Sequence, residues 1–250
     1  MFAVAVIVLM AACDNYHQGD GPVKLSPSVP ASTSPSGTSL PSTPTSSSVT
    51  VSPAPDLPAG VPSSYDQDVA RQDVPSEALI PPGMELSNRW MTETDAGEVI
   101  VVAYFKPSND PFVQARGLVE WRRNEGAEPP WTPVFGIAHA KDEGVRGFEA
   151  VVGDATGDGS GDLLMQEATG GSGACGTWRV IDLAAATERW TKALCDARVD
   201  LHVDPVGITL FEAVYAPEDP HCCPSEFRAT VLVYQEGRGF VKDSVQSTPA

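Results

Sequence analysis

Val151-Val152-Gly153-Asp154-Ala155-Thr156-Gly157-Asp158-Gly159-Ser160-Gly161-Asp162-Leu163-Leu164 is the stretch on which the reading of this chain turns. Oxygen-bearing side chains recur at alternate positions, Asp154, Thr156, Asp158, Ser160 and Asp162, with Gly157, Gly159 and Gly161 between them. Carboxylates this close repel one another unless a positive charge sits among them. A hard cation such as calcium takes about six to eight oxygens, which a tight loop can supply, and glycine lets the backbone turn sharply enough to wrap the ion. Apolar residues lie on both sides, so the stretch reads as strand, acidic loop, strand. The competing reading is a Gly/Asp-rich hairpin turn that holds no metal.

Outward from the loop, strand signals dominate. The segment 98–105 is rich in β-branched and aromatic residues and ends before Pro107. Further candidates are 117–123, 131–140, 147–153, 162–167, 177–183, 199–203, 207–215, 228–234 and 239–242, separated by short turn signals. Helical period is scarce. Residues 65–72 read as a short helix, 73–79 as a second turn, and 184–194 as a helix or as a strand across 189–194. The expected fold is all-β or β-dominated: an antiparallel sandwich, or partial propeller-like sheets, with few short helices.

The N-terminal quarter is different in kind. Residues 1–12 are apolar and too short to span a bilayer as a mature helix, with the texture of a signal peptide. No Lys or Arg precedes the apolar run. Residues 13–64 are dominated by Pro, Ser and Thr, which cannot bury enough apolar surface to offset ordering entropy. They read as an extended disordered tether, and residues 65–250 as a β-rich globular domain. The net charge is -17. Residues 1–64 carry only Asp14, Asp20, Lys24 and Asp56, a net of -2, so -15 belongs to the folded part. Such acidity argues against nucleic-acid binding, which needs a basic face, and suits affinity for cations.

The chain has five cysteines. An odd count in an exported protein leaves one to explain. With Cys13 set apart at the end of the signal-like segment, Cys175, Cys195, Cys222 and Cys223 read as two disulfides. The pairing stays open: Cys175 with Cys195 leaves the neighbours Cys222 and Cys223 to each other, whereas cross-pairing avoids a vicinal bridge. His221-Cys222-Cys223 also has soft-metal character, although a stapled turn before Pro224 explains it as well. No P-loop, dinucleotide fingerprint or His-Glu-x-x-His motif is present. Gly170-Gly171-Ser172-Gly173-Ala174 lacks the last glycine of a nucleophile elbow. The histidines His17, His139, His202 and His221 have no motif partners. The tryptophans Trp90, Trp121, Trp131, Trp178 and Trp190 suit a core, with sugar stacking as the alternative.

Three resemblances add to this reading. Leu9-Met10-Ala11-Ala12-Cys13 resembles a bacterial lipobox, which implies cleavage before Cys13 and lipid on its sulfur. The acidic stretch shares its opening spacing with EF-hands, but position 12 of such a loop needs a bidentate Glu and is Met165 here. It resembles more closely the FG-GAP/VCBS-type loop, in a single copy. That likeness implies side-chain oxygens from Asp154, Thr156, Asp158 and Asp162 and the backbone carbonyl of Ser160. Val214-Tyr215-Ala216-Pro217-Glu218-Asp219-Pro220-His221-Cys222-Cys223-Pro224-Ser225, with the lipobox and stalk, looks like uncharacterised cell-envelope lipoproteins of Gram-positive, actinobacterial type. The expectation is a non-enzymatic binding or scaffold module, exported and anchored by lipid to the outer face of the cell membrane. It carries a structural calcium and faces cell-wall glycan or an envelope protein. The rivals are a secreted wall-acting hydrolase and an inhibitor-like disulfide domain.

Overall fold

Runs of Val, Ile and Leu that alternate on one face bury that face, and runs that do not alternate bury both. In the computed structural model, which describes residues 57–110, 112–169, 175–220 and 223–249, both patterns occur. Twelve strands form three four-stranded sheets. The first holds β1 (Glu85–Thr94), β2 (Gly97–Phe105), β3 (Arg116–Arg123) and β4 (Trp131–His139). The second holds β5 (Gly147–Gly153), β6 (Asp162–Ala168), β7 (Gly176–Asp182) and β8 (Thr187–Leu194). The third holds β9 (Ala197–Val203), β10 (Val206–Val214), β11 (Glu226–Gln235) and β12 (Gly239–Pro249). Within each sheet every strand pairs antiparallel with its neighbour in sequence. The β-dominated expectation therefore holds, as successive antiparallel meanders.

The sheets pack face on face. Val99, Val101 and Ala103 of β2 meet Leu163, Met165 and Ile181 of the second sheet. The opposite side of β2, Ile100, Val102 and Tyr104, packs with Val74, Leu79 and Ile80 of the segment before β1. Leu164 and Val180 face the other way and meet Val199, Ile208 and Leu210 of the third sheet. The second sheet is thus buried on both faces, which is why β6 reads Leu-Leu-Met without alternation.

An edge strand presents unpaired carbonyls that invite another chain. On β5 two of them are taken by side chains of β1: Asn88 Nδ2 donates to Phe148 O at 3.0 Å, and Trp90 Nε1 donates to Ala150 O at 3.1 Å.

One local expectation is corrected and two open readings are settled. Residues 65–72 make no α-helix: Tyr65 bridges Trp131, and a single 3-10 turn spans Arg71–Asp73. Residues 73–79 hold a turn, as expected, in the form of the 3-10 turn Ser76–Ala78. Their apolar side chains follow no helical stripe; they lie flat against the first sheet. The segment 184–194 is a turn followed by strand β8, entered through Ala186 at φ 53°. β1 was not expected from sequence. It is mostly exposed and polar, and Arg89 holds it by donating to the carbonyl of Val74 at 2.8 Å and to Ser76 Oγ at 2.9 Å.

Candidate functional site

The acidic loop joins β5 to β6, between strand and strand as the sequence implies. Gly157 and Gly159 adopt φ +81° and +84°, the left-handed region that a side chain disfavours, and this turns the loop back on itself. Asp162, the first residue of β6, is fully buried. Its Oδ2 accepts three hydrogen bonds: from the amides of Ala155 and Thr156, both at 2.8 Å, and from Thr156 Oγ1 at 3.0 Å. Its Oδ1 is buried without a partner. Burial pushes the Asp162 carboxyl up to about 6; the three donors pull it down, and Asp182, opposite it on β7, adds to the rise.

The other loop oxygens are also engaged. Asp154 Oδ1 accepts from the Gly157 amide at 2.6 Å and Oδ2 from the Gly159 amide at 3.0 Å. Asp158 Oδ1 accepts from the Ser160 amide at 2.8 Å. Ser160 is buried, and its Oγ accepts from the Asp95 amide at 3.4 Å, tying the loop to the β1–β2 turn. Among the described residues no group of three or more His, Cys, Asp or Glu side chains is placed so as to hold a metal ion. The donor set itself is hard oxygen, the chemistry a calcium ion selects. A buried, unpartnered acceptor such as Asp162 Oδ1 fits the demand of such an ion for oxygen.

Cys175, just before β7, is bonded to Cys195, just after β8, so the bridge closes the open end of that hairpin. Cys223 is exposed; Cys222, Cys13 and His221 lie outside the described residues, as do residues 1–56 and the Gly-rich stretch 170–174. The domain begins to pack before residue 65: Pro58 is buried, and Val61 joins the apolar cluster under the first sheet.

The tryptophans divide. Trp121 and Trp131 are core, their indole N–H groups donating to Leu79 O at 3.0 Å and Val69 O at 3.3 Å. Trp178 and Trp190 are only partly buried between the second and third sheets, and Trp178 Nε1 has no partner.

Two charged sites were not legible beforehand. Glu120 is fully buried, with Oε1 3.1 Å from Arg122 Nη2 and Oε2 unpartnered. Burial pushes its carboxyl up to about 8; Arg122 opposes this, and Asp182 adds to it. His139 sits 2.7 Å by Nδ1 from Glu143 Oε2 and 3.2 Å by Nε2 from Glu167 Oε1. Glu167 also receives Arg179 Nε at 2.8 Å and Nη2 at 3.1 Å. A single glutamate in a strand and a lone histidine give no motif; packing of the first sheet on the second brings these groups together.

Compared with protein-family models, with curated proteins and with solved structures, the chain matches none.

Proposed function

We propose that the chain is an exported protein, anchored to the outer face of the cell membrane by lipid on Cys13 and held off it by the Pro/Ser/Thr-rich stretch between Cys13 and Pro58. Its β domain is a non-enzymatic binding or scaffold module of the cell envelope, pinned by calcium at the 154–162 loop. The observation that carries the reading is that loop: five alternating oxygen side chains on a strand–loop–strand frame, with Asp162 Oδ1 buried and unpartnered. The Cys175–Cys195 disulfide accords with an oxidising compartment outside the cytoplasm.

Asp154, Thr156, Asp158 and Asp162 would hold the ion by side-chain oxygens and Ser160 by its carbonyl. Bound there, the ion would supply positive charge that neutralises the loop carboxylates. Asp162 would offer Oδ1, its Oδ2 being held by the Thr156 and Ala155 amides.

The full chain, purified in detergent, is melted in calcium and in EGTA. A higher Tm in calcium that Asp158→Ala removes supports the metal reading; identical melts overturn it. For the anchor, Cys13→Ala moves the chain from the membrane fraction to the aqueous one, and a variant that stays with the membrane overturns the lipid.

A further inference from the structure

Register sets Phe105, Arg116 and His139 side by side on β2, β3 and β4, so the β2–β3 and β4–β5 connections leave the same end of the first sheet. The Lys106 amide donates to Ala115 O at 2.8 Å and closes the base of the first connection. Glu143 tightens the second by accepting from the Ala140 amide at 3.2 Å. Between the two connections lies a groove of about 400 Å³, a volume in the range of small-ligand sites.

Its lining differs in charge from the rest of the chain. Pro107, Val113 and two alanines give apolar surface, and Lys106, Lys141, Ser108 and Gln114 give the polar groups. Among the described residues no carboxylate lines it, in a chain of net charge -17. Lys106 and Lys141 are exposed, and neither ammonium has a partner among the described residues. Ser108 Oγ accepts the Asp110 amide at 3.2 Å, and Gln114 Oε1 accepts Arg116 Nη2 at 2.7 Å. Each is thereby engaged as an acceptor and keeps an O–H or N–H to donate.

The neighbouring charges do not cancel this. Segments 106–116 and 140–146 carry four basic residues, Lys106, Arg116, Lys141 and Arg146, against Asp110, Asp142 and Glu143. Asp110 Oδ1 accepts the Phe112 amide at 2.9 Å, and Glu143 Oε2 sits 2.7 Å from His139 Nδ1. Asp142 is exposed and does not line the groove.

The chemistry selects the occupant. A cationic ligand meets two ammoniums, and a neutral one gains little from them. An oxyanion accepts from both as charge-assisted hydrogen bonds and from Ser108 and Gln114 besides. At physiological salt, exposed charges beyond about 8 Å are largely screened, so the lysines that touch a bound anion outweigh the acidic surface elsewhere. The apolar wall suits the carbon body that carries the anion.

We propose that the groove between the β2–β3 and β4–β5 connections binds a small organic oxyanion, phosphate or carboxylate, through Lys106 and Lys141. This rests on the reading of the domain as a binding module and names the charge and class of its ligand.

The test titrates the full chain, in non-ionic detergent and EGTA, with glucose 6-phosphate, glucuronate and glucose, which share one carbon body and differ in charge. Calorimetry is expected to show saturable binding of one or both anions and none of glucose; the anion that binds names the source. Lys106→Gln and Lys141→Gln each weaken it about tenfold, whereas Lys242→Gln, an exposed lysine on β12, leaves it unchanged. Failure of both anions to saturate, equal binding of glucose, wild-type affinity in the two groove variants, or an equal loss in Lys242→Gln overturns the proposal. If neither anion saturates but the Cys13→Ala chain binds phosphatidylglycerol vesicles, the surface belongs to a membrane and the proposal is likewise overturned. The calcium dependence of Tm is read in separate samples, so an anion-negative, calcium-positive chain refutes the groove alone, and the reverse refutes the metal alone.

Discussion

Asp162 Oδ2 accepts the Thr156 amide at 2.8 Å, so the first residue of β6 fastens the loop that leads into it. The same oxygen holds the Ala155 amide, and Ala155 itself is fully buried. The loop is therefore anchored from inside the fold, whereas Asp158 engages one amide from an exposed position.

Asp162→Ala removes the acceptor for three donors at a buried site. A loss of about 2–4 kcal/mol is expected from leaving such groups unsatisfied. Asp158→Ala is expected to cost about 0.5–1 kcal/mol without metal, because Asp158 is exposed and holds a single amide. Urea denaturation in EGTA checks the contrast; equal losses would contradict the buried anchor.

Glu120 gives the fold a pH slope. Its folded carboxyl titrates at about 8 against an ordinary 4.5, burial being the main cause. Between those values the folded chain keeps a proton that the unfolded chain releases, so stability falls as pH rises through the window. The slope is at most on the order of 1.4 kcal/mol per pH unit. Glu120→Gln cannot ionise and is expected to flatten the curve and to be the more stable protein above pH 8. Denaturation midpoints across the window test this; parallel curves for the two proteins would refute it.

His139 works in the opposite sense. The Glu167 carboxylate, 3.2 Å from Nε2, raises its imidazolium above the usual 6.5, partly opposed by burial. Its contribution is present below pH 6.5 and lost as pH rises through the raised value. At Glu167 burial pushes upward, but His139 and Arg179 outweigh it and hold the carboxyl below 4.5. That contribution is present above 4.5 and lost on acidification. The contact joins β4 of the first sheet to β6 of the second. His139→Gln is expected to lower Tm by a few degrees in mild acid and by less in mild alkali. An equal loss at both pH values would show that the charge is not involved.

Reduction of Cys175–Cys195, separated by 20 residues, is expected to cost about 3 kcal/mol by freeing the unfolded chain. The β7–β8 hairpin is closed by this bridge at one end and by its turn at the other. Melting with and without reductant checks the value, with Cys195→Ser as the matched variant.

The strands that alternate or run apolar announced themselves. Val99–Val102 and Leu163–Met165 lose water on one or both faces whatever their partners, and that pattern is written in the residues. β1 did not, because Asn88 and Trp90 are there to bond the edge of β5, a partner 60 residues away. The segment 184–194 was ambiguous since its alanines favour a helix in isolation; pairing of β8 with β7 decides otherwise.

By itself the sequence determined the β class, the place of the acidic loop and the types of oxygen within it, since burial pattern and loop chemistry are local properties. Tertiary structure decided the rest. It chose Cys195 as the partner of Cys175, buried Glu120 beside Asp182, drew Asp162 onto the Ala155 and Thr156 amides, and brought Lys106 and Lys141 to one groove. Each of these is a matter of register and sheet packing, where one residue of slip turns a side chain to the opposite face.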